Sequence, residues 1–216
     1  MKTLILNDKE VPFFDFNKIG KYDCIFIIGI SQIGKTTLCQ QIIQHIYPNE
    51  IGIIVSPTNM HEYKDLFKYA IVRKKTTYVD SYQNCNYIVY DDCIDMSSFH
   101  LLENIIKENN MLRIVALQFP YSIPCEILKD INYFFIFIPH MHITSKTRIN
   151  YYTDNQLDIS EGIALLTNHN CLVYEKDKVS YYNCITNDNT NDIDYSVKVG
   201  NTDTVIITDY LEKLKE

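Results

Sequence analysis

Apolar and polar positions along the chain fall into two kinds of stretch. "YDCIFIIG" (22–29), "IGIIVSPT" (51–58), "NYIVYDDC" (86–93), "LRIVALQF" (112–119) and "NYFFIFIP" (132–139) are apolar runs of strand length. Such runs are typical of strands covered on both faces of a parallel sheet. Between them, apolar residues recur at helical spacing. Leu38, Ile42, Ile43 and Ile46 predict a helix that Tyr47-Pro48 ends, and "SSFHLLENIIKENN" (97–110) predicts an amphipathic helix that its serines can cap. "HEYKDLFKYA" reads as a short charged helix, "TTYVD" (76–80) as a short strand and "CEILKDI" as another short helix. This alternation predicts an α/β fold with three layers, a mostly parallel sheet flanked by helices.

Past residue 140 the pattern changes. "MHITSKTRINYYTDNQ" reads as a polar loop, "LDISEGIALLT" as a short helix and "CLVYEKDKVSYYNC" as a β-hairpin turning at Lys176-Asp177. "TNDNTNDID" (186–194) is polar throughout, and "TDTVIITDYLEKLKE" reads as a terminal helix with some strand character. The expected division is a core over 1–140 and an extension over 141–216 packed on the same domain.

Composition narrows the class. A length of 216 residues suits one α/β domain, and 46% hydrophobic with 22% charged residues is ordinary globular usage. No apolar run approaches the roughly 20 residues that cross a bilayer. "MKTLILNDKE" turns to charge too early for a signal peptide, so the expectation is a soluble, unsecreted chain. The seven cysteines are scattered without a C-x-x-C pair, which predicts reduced core residues in a reducing compartment. His140 and His142 have no cysteine nearby and read as structural or surface residues. The net charge of −7 argues against a wholly nucleic-acid-binding surface, though not against a motor that touches DNA at a few pore residues.

The chemistry concentrates in three places. Gly29 to Thr36 spell G-x-x-x-x-G-K-[ST], a phosphate-binding loop (Walker A) between a strand and a helix. Gly29, Ile30, Ser31, Gln32, Ile33, Gly34, Lys35, Thr36 and Thr37 are the expected nucleotide contacts. The glycines let backbone N–H groups turn inward, Lys35 would reach the β- and γ-phosphates of ATP, and the Thr36 hydroxyl would complete a Mg2+ shell. "YIVYDDC" has the form of a Walker B strand. Asp91 would hold the magnesium and Asp92 would orient the attacking water, with Asp95 a lesser candidate for the latter role. Gln118 ends the next apolar strand, where it would sense the γ-phosphate in the crevice at the strands' carboxyl ends. The bland readings are a chance glycine pair, a capped strand end and a Gln bonded to loop backbone. Their joint occurrence in order favours chemistry.

The phosphate loop, "IIVSPTNMHEY", "YIVYDDC", "IVALQFPYSIP" and "INYFFIF" follow in an order similar to the genome-packaging ATPases of poxviruses and other large DNA viruses. These belong with the FtsK–HerA translocases of the P-loop superclass. The similarity covers about residues 22–140 and thins afterward. It implies a homo-oligomeric ring that hydrolyses ATP to push double-stranded DNA, without sequence preference, into a preformed capsid. Capsid or portal-vertex proteins would be its partners, and the host cytoplasm at the assembly site, with the virion, its location. Where that family tends to place an arginine after the sensor strand, this chain has Lys129. The finger given to a neighbouring subunit would be Lys129, a poorer donor than arginine, or Arg148 in "TSKTR". "VRKK" (72–75) and "SKTR" (145–148) are the densest basic clusters and the candidate DNA contacts.

Two other functions fit the same residues. One is a nucleotide-gated virion assembly protein with little hydrolysis, against which the paired aspartates argue. The other is a nucleoside or nucleotide kinase, against which the chain's three arginines argue, since kinases clamp phosphates with several.

Overall fold

Five of the apolar runs form strands side by side in a computed structural model. It describes residues 4–6, 9–64, 70–73, 85–92, 99–107, 110–120, 123, 125–138, 141–153, 169–176, 178–184 and 204–206. A short hairpin, β1 (Leu4–Leu6) and β2 (Lys9–Val11), precedes the main sheet. The runs themselves are β3 (Cys24–Ile28), β4 (Gly52–Val55), β6 (Tyr87–Asp91), β7 (Leu112–Leu117) and β8 (Tyr133–Ile136). All five are buried along their whole length. With β5 (Ala70–Arg73) they make a parallel block in the order β8-β3-β7-β6-β4-β5.

Alternation within each strand divides the core into two faces. Ile25 and Ile27 of β3 meet α1 (Lys35–Ile46) through Leu38, Ile42 and Ile43. Cys24, Phe26 and Ile28 face the other way, in one cluster with Ile105 and Ile106 of α3 (Phe99–Lys107) and Ile149 of α4 (Ile143–Tyr152). The expected three-layer, mostly parallel architecture is therefore present.

The sheet continues antiparallel at both edges. β9 (Asn170–Glu175) pairs with β8 and β10 (Lys178–Asn183) with β9, the hairpin expected around Lys176-Asp177. The run at 132–139 is thus the last parallel strand but not the edge. The chain ahead of β3 covers the outer edge, with Phe14 N–H donating to Tyr181 O at 2.8 Å and Tyr181 N–H to Pro12 O at 3.0 Å. On the far side β11 (Thr204–Ile206) pairs antiparallel with β5.

Three expectations need correction. Residues 143–152 are a helix rather than a loop: Ser145, Ile149 and Tyr152 bury one face, and the His142 side chain caps it by accepting from Thr144 N–H. The polar sequence hid a face carried by one isoleucine and one tyrosine. Of the expected charged helix, α2 (Met60–Lys64) is present and 65–69 lie outside the described residues, while Ala70, expected to end it, belongs to β5, whose "AIVR" pairs in register with Gly52–Val55. Residues 204–206, in the run read as a terminal helix with some strand character, form a strand because β5 offers a free ladder edge, and 207–216 lie outside the described residues. "TTYVD", "LDISEGIALLT", "TNDNTNDID", Asp95 and His140 lie outside the described residues.

Candidate functional site

The site is built at the carboxyl ends of the parallel strands, where connections leave the sheet. β3 ends at Ile28, and the chain turns through 29–34 into α1. Two glycines permit that turn. A Cβ on Gly29 would lie 2.7 Å from Phe137 Cβ, and Gly34 holds φ 111° as the cap of α1. No side chain caps α1, so its first-turn N–H groups remain open to an anion.

Strand order then decides what faces this loop. β7 lies between β3 and β6, so the loop after β3 is met by the ends of two strands distant in sequence. Thr36 Oγ1 donates to Asp91 Oδ2 at 2.8 Å. Lys35, 3% exposed, places Nζ 2.9 Å from Ile30 O and 3.2 Å from Asp92 Oδ1. Gln118 Nε2 donates to Asp92 Oδ2 at 3.3 Å. Asp92 itself stands at φ 51°, a left-handed conformation that turns its carboxylate back toward the loop. Lys35, Thr36, Asp91, Asp92 and Gln118 are therefore brought together.

Residues that the sequence reading did not single out complete the cluster. Asn59, in the turn after β4, donates Nδ2–H to Thr36 Oγ1 at 2.9 Å and lies 3.4 Å from Asp91 Oδ2. Tyr63 of α2 donates its hydroxyl to the same Asp91 oxygen at 3.0 Å. Glu62 and His169 join Asn59, Asp92 and the loop in lining a cavity of about 190 Å³. The signal for Asn59 and Tyr63 was the stretch "SPTNMHEY" itself, since any side chain just past β4 leaves the sheet beside β6. His169 gave no such signal, for only the pairing of β9 with β8 brings it here.

Burial dominates the electrostatics. It pushes the Asp91 carboxyl above the usual range and Asp92 pushes the same way, while bonds from Thr36, Tyr63 and Asn59 pull it back. Burial likewise raises Glu62, with His61 opposing. Asp91 Oδ1 is buried without a hydrogen-bond partner among the described residues. An unpaired carboxylate oxygen beside a hydroxyl is a donor set for a hard cation.

The finger candidates lie elsewhere. Arg148 of α4 stacks over Tyr151 and Tyr152, at 5.6 and 5.3 Å, and donates Nε–H to the Tyr152 hydroxyl at 3.1 Å. Lys129 lines a second cavity of about 500 Å³ with Asn132, Phe134, Tyr152 and Lys176. Asn132 bonds Cys24 at the start of β3, so this cavity is at the opposite end of the strands from the phosphate loop. Neither cation lines the loop cavity of its own chain. Of the basic clusters, Val72 and Arg73 lie on β5 and 145–148 on α4, while 74–75 fall outside the described residues.

Comparison with known proteins agrees with this architecture. The genome packaging NTPase B204 from Sulfolobus turreted icosahedral virus 2, in complex with AMPPCP, is similar at TM-score 0.51 and 12% identity, covering 76% of this chain and 98% of that one. The same NTPase in complex with ATP-gammaS gives 0.52 and 11%, again covering 76% and 98%. B204, the DNA-packaging ATPase from Sulfolobus turreted icosahedral virus, gives 0.51 and 11% over the same shares. At such identities the likeness carries the P-loop NTPase fold. No curated protein matches the sequence. A family model, RNA helicase, matches residues 25–145. That span takes in the phosphate loop, the acid strand and the whole parallel core after β3 begins, and the protein belongs to the RNA helicase family.

Proposed function

We propose that the protein is an ATP-hydrolysing motor that moves double-stranded viral DNA into a preformed capsid. The observation that supports this best is the 2.8 Å bond from Thr36 to Asp91, which joins the helix after the phosphate loop to the acid strand at one point. The buried, unpartnered Asp91 Oδ1 and the adjoining Thr36 hydroxyl fit Mg2+, and these two residues would hold it. Bound there, the ion would neutralise charge on the triphosphate oxygens.

Lys35 and Asp92 pair across 3.2 Å. A γ-phosphate would draw Lys35 away and free Asp92 Oδ1 to accept a proton from the attacking water, while Gln118 keeps Asp92 oriented. Water then bonds to the γ-phosphorus as the bond to the ADP oxygen breaks. Arg148, or more weakly Lys129, would add its charge from a neighbouring subunit of a homo-oligomeric ring of FtsK–HerA type. Such a ring would work against capsid or portal-vertex proteins at the viral assembly site. The DNA substrate rests on the likeness to B204, which is a genome packaging NTPase. The family match favours a second reading, ATP-driven work on RNA.

ATP turnover measured alone, with duplex DNA and with RNA separates these readings. Stimulation by duplex DNA supports packaging, stimulation by RNA alone supports the second reading, and tight ATP retention without turnover supports an assembly switch. Phosphate transfer to a nucleoside would move the protein to the kinases. Lys35→Ala should abolish binding or turnover. Asp92→Asn should keep ATP affinity and lose about 10²–10⁴-fold in turnover, the usual worth of a positioned base; unchanged turnover would remove Asp92 from the mechanism.

A further inference from the structure

One side chain in the loop cavity has no part in the chemistry above. His169 stands in the turn that opens β9, at φ 72°, with its carbonyl accepting from Cys184 N–H at 2.7 Å across the mouth of the hairpin. Its ring lies against the loop, with Nδ1 3.0 Å from where a Cβ on Gly34 would sit. That Nδ1 is buried and has no hydrogen-bond partner among the described residues. A buried ring nitrogen left unpaired is costly, and the residue that carries it lines the loop cavity with Gly34, Lys35 and Thr37.

The sheet order says which end of a nucleotide would meet it. Asp91 and Asp92 end β6 and Gln118 follows β7, both on one side of β3. His169 precedes β9, on the other side of β3 beyond β8. A triphosphate lying across the loop with its γ end at the aspartates would have its other end on the β8 and β9 side. We infer that His169 Nδ1 hydrogen-bonds the nucleoside end of bound ATP, so that the C-terminal hairpin forms the second wall of the nucleotide site. The inference rests on the ATP reading of the loop and adds a residue outside the 25–145 span of the family match.

The test compares ATP with inorganic tripolyphosphate, which has the charged tail and lacks the nucleoside. Binding of both is measured by calorimetry for wild type, His169→Gly and His169→Asn, each checked for a cooperative melt. Gly removes the ring without strain at φ 72°, and Asn tolerates that conformation while returning a hydrogen-bonding atom near the place of Nδ1. The expected result is about a tenfold loss of ATP affinity in the Gly variant, little change for tripolyphosphate, and recovery to within about threefold in the Asn variant. Equal ATP affinity in all three overturns the inference, as does a parallel loss for both ligands. Should the Gly variant fail to melt cooperatively, the imidazole resonances of wild-type His169 decide the matter. They should shift with ATP and stay in place with tripolyphosphate, and identical responses overturn the inference. Wild-type protein that binds neither ligand removes the ATP reading and the inference with it, whereas wild-type binding with an indifferent His169 removes the inference alone.

Discussion

Asp91 shows how one residue sets function against stability. Its carboxyl is fully buried, its Oδ1 has no partner among the described residues, and burial holds its pKa above the unfolded value despite three donors on Oδ2. A raised folded-state pKa means that the proton stabilises the fold: the contribution is full below the unfolded value and is lost as pH rises through the folded one. Ionised Asp91 is therefore a burden on the ligand-free protein at pH 8. Asp91→Asn, which removes the charge and keeps the acceptor, should raise Tm by about 2–4 °C at pH 8, as roughly 1 kcal/mol does in a chain of this size. The gain should shrink as pH falls through the raised pKa, and the same variant should lose Mg2+-dependent ATP binding. A scanning-calorimetry series from pH 8 to 5 reads the first effect, and a variant that melts lower than wild type at pH 8 would contradict it. The aspartate was legible in the sequence because an apolar strand ran into it. Its burden was not, because Tyr63, Asn59 and Thr36 converge on it from three separate elements.

At the scale of elements, what could be read followed how each element is stabilised. β3, β4, β6, β7 and β8 are apolar on both faces, so the strands were visible one by one. α1 was visible because Leu38, Ile42 and Ile43 repeat at helical spacing, each worth about 1.5–3 kcal/mol when buried. α4 was missed because polar contacts fix it. The Tyr152 hydroxyl shares its one hydrogen between the carbonyls of Pro120 and Ile123 and accepts from Arg148, and Thr153 Oγ1 donates to Ile149 O at 3.0 Å. Hydrogen bonds of this kind leave no periodic trace in sequence. Tyr152→Phe should therefore cost about 1–3 kcal/mol, the penalty for stranding buried polar partners. It should leave ATP affinity unchanged, because Tyr152 does not line the loop cavity. A urea midpoint equal to wild type would mean that α4 docks by its apolar atoms alone.

At the scale of the whole molecule, a short chain of contacts links the site to the core. Cys39, fully buried on α1, lies in one core cluster with Tyr63, and Tyr63 donates to Asp91. Burial raises the Cys39 thiol well above its ordinary value and pushes the Cys24 thiol up to about 12. Both should react with iodoacetamide only when the fold opens, since the thiolate is the nucleophile. Cys125, expected in the core, is exposed instead and should react in the native state. No reading of spacing could have ranked these thiols, because the order depends on which face of the sheet each one enters and on what covers it. A ligand that binds only the folded state lowers the open fraction by a factor of 1 + [L]/Kd. At 100 Kd of ATP with Mg2+, labelling of Cys39 should slow about 100-fold while Cys125 keeps its rate, read by mass spectrometry of the alkylated peptides. Cys39 labelled as fast as Cys125 would place it outside the core. Protection by Mg2+ alone, equal to that by ATP with Mg2+, would show that the Asp91 cluster is stabilised as a cation site and that the phosphate loop contributes nothing to the coupling.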